Sequence, residues 1–162
     1  MKRYNEEKIK HLEFIQNIIT RMNTNSFQIK TWSVTVNAAL LAVYASNNID
    51  VYLLIAIIPT VIFWFLDTYY LQQERKFRGV YNDVARLTDS DKRILIRNFE
   101  MPIHKYNFKS YGFFNVFFSK TILLFYSFMV ILLLAGWLIL SKQGVYLWQK
   151  GKCFIVSIMA MM

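Results

Sequence analysis

Cysteine occurs once in the 162 residues, at Cys153, so neither an intrachain disulfide nor a thiolate metal cluster can form. Glycine occurs five times, too rarely for a loop that cradles phosphates, and neither G-x-S-x-G nor H-E-x-x-H is present. The two histidines, His11 and His104, lie far apart and have no cysteine or acidic ligand pattern beside them, so no metal site is expected. Asp83, Asp89 and Asp91 are spaced like helix caps; a calcium loop would also need a glycine and a later glutamate. Without a convergent nucleophile and base, the chain does not read as an enzyme, and no cofactor is expected. The charged lead before the first apolar block is too long for a signal peptide, and no A-x-A-like site follows that block.

Acidic residues are also scarce. Ten Asp and Glu stand against 19 Lys and Arg, a formal net charge of +9. Such an excess suits anionic lipid at a membrane face. Nucleic acid is the alternative. The basic-aromatic stretch 104–120 could stack on a single strand, but an apolar run adjoins it, which favours lipid headgroups.

What the chain has in abundance is apolar side chains, 56% of the total, gathered into blocks. Residues 121–140 form a run of twenty without a charge, TILLFYSFMVILLLAGWLIL. As a helix this run covers about 30 Å, the thickness of a bilayer's hydrocarbon core. The expected fold is therefore all-α: an integral membrane protein with an N-terminal amphipathic helix, a two-span hairpin, a helical polar segment and a third span.

The boundaries follow from composition. Residues 1–30 make the lead helix, whose stripe is Leu12, Ile15, Ile19 and Met22, widened by Phe14 and Ile18. It is expected to run on into the first span, with a bend near Asn23–Ser26. The hairpin occupies 31–70. Its first span, Thr31 to Ala45, is short; Phe27 and Ile29 can lengthen it if Lys30 snorkels its amine outward. Thr31, Thr35, Ala38, Ala42 and Ala45 recur at 4, 3, 4, 3 spacing and present a small face for close helix packing. Asn37 lies off that face and must find a hydrogen-bond partner.

Residues 46–50 form a turn. The second span, Val51 to Leu66 with an extension to Tyr70, carries Pro59 in its middle, which predicts a kink. Trp64, Tyr69 and Tyr70 read as an interfacial aromatic belt. Asp67 lies among them, expected to pair with Arg75 or with a basic residue on another segment.

Residues 71–120 are the basic polar segment. Arg75, Lys76 and Arg78 continue the second helix past the belt, and Lys109 and Lys120 join them as candidate headgroup contacts. Thr88-Asp89-Ser90 is expected to stop this helix and cap another over Asp91–Phe99, and Tyr106–Phe118 is expected to lie as a loop among headgroups. The third span is 121–140. The tail, 141–162, ends in an apolar segment, Cys153 to Met162, too short to span; a truncated span, an interfacial segment and a core segment all remain open.

Charge sets the orientation. Lys2, Arg3, Lys8, Lys10, Arg21 and Lys30 fill the lead, and ten more basic residues lie in 71–120, whereas 46–50 holds none. The positive-inside rule puts the lead and 71–120 in the cytoplasm.

Two stretches carry a family likeness. One is Phe14-Ile15-Gln16 with Arg21-Met22, Asn25-Ser26-Phe27, Ile29-Lys30 and Trp32. The other runs Phe63-Trp64-Phe65-Leu66-Asp67, Tyr69-Tyr70-Leu71-Gln72-Gln73-Glu74-Arg75-Lys76-Phe77-Arg78 and Tyr81-Asn82-Asp83-Val84. Over residues 10–140 they resemble an uncharacterised family of small bacterial integral membrane proteins, similar in arrangement to the SLATT-type two-span effectors of anti-phage defence. The resemblance implies an inner-membrane location and supplies no catalytic residues. Together the readings suggest a homo-oligomeric membrane effector or pore-like component. The alternative is a membrane-anchored module whose basic segment recruits a cytoplasmic protein, anionic lipid or nucleic acid.

Overall fold

The structure is a computed structural model. It describes residues 2–47, 51–107 and 111–140, without the side chains of 2–5 and 140. Lys109, most of the 46–50 turn and the whole 141–162 tail, with its apolar terminus, lie outside the described residues.

The described residues are helical, with no strand among them. Helix α1 is Lys2–Asn47, α2 is Val51–Ile55, α3 is Ile57–Ala85, α4 is Phe113–Phe117 and α5 is Lys120–Leu140. Single 3₁₀ turns sit at Ser90–Lys92 and Ile103–Lys105. The lead runs on into the first apolar block as one helix, and Asn23–Ser26, where a bend was expected, lies inside it. In the polar stretch of α1 the Thr20 and Thr24 hydroxyls donate to the Gln16 and Thr20 carbonyls, each four residues back, so they do not compete with the helix for backbone donors.

Pro59 acts upstream of itself. A proline ring clashes with the carbonyl four residues earlier, here that of Ile55, and α2 ends at that residue. Helix α3 restarts at Ile57 with Pro59 in its first turn, where a missing N–H costs little. The expected mid-span kink is thus a helix break at Ala56.

Two stretches, Val51–Ala85 and Lys120–Ile139, are long and apolar enough to cross a membrane. The later part of α1 does not reach that apolarity, because Thr31, Ser33, Thr35 and Asn37 fall within it.

The described chain divides into two compact units. The first comprises Met1–Lys30 and Trp64–Ile122. Its core is Ile15 and Ile19 of α1, Phe77 and Val80 of α3, and Tyr106, with Ile94, Ile96 and Met101 packed against them. His11 joins the buried stripe of α1, whereas Phe14 is exposed.

The helix expected over Asp91–Phe99 is absent beyond the Ser90–Lys92 turn. Ile94 and Ile96 point into the core while Leu95 between them is 89% exposed. That is an extended, two-residue alternation, which burial enforces over helix propensity. Tyr106 likewise belongs to the core and not to a headgroup loop.

The second unit comprises Thr31–Phe63 and Leu123–Met162. Ser33, Asn37, Leu53, Ala56, Thr60, Tyr126 and Leu133 are buried in it. The Tyr126 hydroxyl donates to the Phe63 carbonyl at 3.3 Å. Leu124, Phe128, Ile131 and Ile139 of α5 are exposed, an apolar surface that water would not tolerate cheaply.

Candidate functional site

In the first unit α1 meets α3 through a buried polar cluster. The Ser26 hydroxyl donates to Asp67 Oδ1. Lys30 Nζ donates to Ser26 Oγ at 2.9 Å and lies 2.6 Å from Asp67 Oδ2. Ser26 and Lys30 are four residues apart, so one helical face delivers both to the same carboxylate. Asp67 is fully buried and the Lys30 side chain is 22% exposed. A carboxylate out of water is costly unless it is paired and hydrogen-bonded, and these two residues supply both. The cluster ties α1 to α3 through one shared carboxylate.

The partner of Asp67 is therefore on another segment and is not Arg75. Nor does Lys30 snorkel outward. The signal that could have found the pair is local: Lys30 and Asp67 are the last charges before, and the first after, long uncharged stretches. Beside them, Trp64 stacks on Phe117, with ring centroids 4.5 Å apart and planes 3° from parallel. Tyr69 is exposed, its ring 5.6 Å from that of Tyr70 and 79° from parallel to it. Glu74, buried, pairs with Arg78 one turn on. Lys76 Nζ reaches Asn107 Oδ1 at 3.4 Å, and Arg75 is half-buried. Lys120 begins α5 and is exposed.

In the second unit Asn37 Nδ2 donates to Thr60 Oγ1 at 2.7 Å, and that hydroxyl donates to the Ala56 carbonyl at 2.9 Å. The pair ties α1 to α3 beside the break that Pro59 causes. The small face turns elsewhere: Thr31, Thr35, Ala38, Ala42 and Ala45 are all exposed. Thr35 closes its hydroxyl on the Thr31 carbonyl at 2.9 Å, leaving that face smooth and without a competing donor.

A third cluster lies at the far end of the first unit. The Tyr106 hydroxyl donates to Asp83 Oδ2 at 2.5 Å, and the Ile94 N–H reaches the same oxygen at 3.3 Å. Asp83 thus anchors the loop instead of capping a helix. Burial, then the Asp83 hydrogen bond and charge, push the Tyr106 phenol far above its usual range. Nearby, His11 is 1% exposed and its ring lies 5.6 Å from that of Phe99. Burial holds its imidazole below the usual range, opposed by a hydrogen bond to the Glu100 backbone. His11 and Tyr106 were missed because each is polar at one end only and breaks no apolar stripe. Among the described residues no group of three His, Cys, Asp or Glu side chains could hold a metal ion.

No family model matches this chain, and no curated protein or solved structure matches it either.

Proposed function

We propose that the chain is a non-enzymatic integral membrane protein that self-associates through the small face of α1. The observation that carries this reading is the exposure of Thr35, Ala38 and Ala42 on one side of a helix whose other side is already engaged through Asn37 and Thr60. In lipid, small side chains let helix backbones approach closely, and the resulting van der Waals packing is one of the forces that drive helices together. The chain crosses the bilayer at 31–45, 51–70 and 121–140, with the lead and 71–120 in the cytoplasm of a bacterium, following the distribution of lysine and arginine. Anionic lipid faces Arg75, Lys76, Arg78, Lys109 and Lys120. The likeness to SLATT-type effectors supports a role in defence, in which assembly perturbs the membrane.

Ala38→Leu and Ala42→Leu test the interface. Each is expected to lower the oligomer size of the detergent-solubilised protein by light scattering without changing its helix content. An unchanged size for both would refute the assembly.

A further inference from the structure

One cavity in the first unit is built for an anion. It has a volume of about 170 Å³ and is lined by Lys8, His11, Asp83, Arg86, Arg93 and Asn98, among others. Two of its polar atoms are buried without a partner among the described residues, His11 Nε2 and Arg93 Nε. Buried orphaned groups are rare and call for an explanation. Two others are engaged. Asp83 Oδ2 accepts from Tyr106 and Ile94, and Asn98 Nδ2 donates to Glu7 at 3.2 Å. Three cationic side chains therefore face one occupied carboxylate.

We propose that this cavity binds a phosphate monoester. Its charged oxygens accept from Arg93, Arg86 and Lys8, the fork geometry of arginine suiting a tetrahedral anion. His11 adds selectivity. In this proposal the neutral ring carries its proton on Nδ1, which leaves the buried, unpartnered Nε2 as an acceptor. A phosphate monoester can carry a P–OH that donates to it; sulfate and carboxylate at neutral pH carry no such proton. The inference is independent of self-association, because no residue of the small face takes part. The ligand's phosphate can come from a soluble monoester or from the monoester headgroup of phosphatidate.

The test uses the full chain in detergent and reads thermal unfolding against inorganic phosphate, adenosine monophosphate and sulfate. Phosphate and the nucleotide are expected to raise the midpoint, and sulfate is not. Arg93→Gln is expected to weaken phosphate binding about tenfold, one charge-assisted hydrogen bond's share. Arg86→Gly separates binding from folding. Arg86 has φ of 62°, which glycine adopts freely, so this variant is expected to unfold at a higher temperature yet bind phosphate more weakly.

Nanodiscs of phosphatidylcholine with or without phosphatidate then identify the source. Loss of nucleotide protection only with phosphatidate assigns the site to the headgroup; persistence assigns it to a soluble monoester. Protection by none of the probes, equal protection by sulfate, or unchanged affinity in both variants would overturn the proposal.

Discussion

The Lys30 ammonium lies 2.6 Å from the carboxylate of Asp67, which is fully buried. The pair spans α1 and α3, and its two members do not bear their burial equally. Lys30 retains some exposure, so its amine can reach solvent if Asp67 is lost; Asp67 has no such escape. Lys30→Met is therefore expected to destabilise the protein by about 3–5 kcal/mol, the range for stranding a buried charge. Asp67→Asn is expected to cost less. The double variant Lys30→Met, Asp67→Leu is expected to recover most of the loss. Thermal unfolding in detergent reads all three, and a double variant no better than Lys30→Met would show that the pair is not what holds the helices.

Gly79 in α3 faces the aromatic core. A Cβ there would meet Tyr106 Cδ1 at 2.7 Å, Tyr106 Cε1 at 2.8 Å and the Tyr111 hydroxyl at 2.9 Å. The Tyr106 ring is pinned through its hydroxyl to Asp83 and cannot yield. Gly79→Ala is expected to destabilise by about 1–3 kcal/mol through overpacking, outweighing the roughly 1 kcal/mol that alanine gains in a helix. An unfolding midpoint at or above that of the parent would show that the ring moves.

The second unit rests on a weaker link. Asn37→Ala removes the donor to Thr60, whose hydroxyl keeps its bond to Ala56. Hydrogen bonds between helices in membranes average about 0.6 kcal/mol, so a loss of that order is expected. A double-mutant cycle with Thr60→Val isolates the coupling. A coupling energy of zero would mean that the two side chains are adjacent without being bound.

Two titrations set the pH window of the first unit. The His11 imidazole is held below its usual range, so the folded state resists its protonation. Its contribution is present above the unfolded value near 6.5 and is lost as pH falls through the lower folded value. Tyr106 is shifted the other way: its contribution is complete below about 10 and declines as pH rises beyond it, where only the unfolded chain ionises. Unfolding midpoints should therefore fall below about pH 6.5 and above about pH 10. His11→Gln is expected to flatten the acid limb, and an acid limb unchanged by that substitution would contradict the assignment.

Much of the helical layout was legible because apolar blocks and their period survive any context. Ile15 and Ile19 recur as a helix face must, and a run such as 121–140 has no polar side to expose. What was not legible depended on partners distant in sequence. Asp91–Phe99 looked like a capped helix, yet Ile94 and Ile96 are drawn into the core two residues apart, and Asp83, eleven residues before Ile94, takes the Ile94 N–H. The break at Ala56 lies three residues before the proline that causes it. The Asn37 amide had to find a partner on physical grounds, but only the packing of α1 on α3 names Thr60.

The account rests on α3 and α5 crossing a bilayer with the basic 71–120 segment on the cytoplasmic side. The most direct measurement uses a Cys153→Ser background carrying Ser90→Cys, exposed in the 3₁₀ turn after α3. Intact spheroplasts are treated with a membrane-impermeant maleimide before and after permeabilisation. The account expects the protein in the carbonate-washed membrane pellet, with labelling only after permeabilisation. Labelling of intact spheroplasts, or recovery of the chain in the detergent-free soluble fraction, would contradict it.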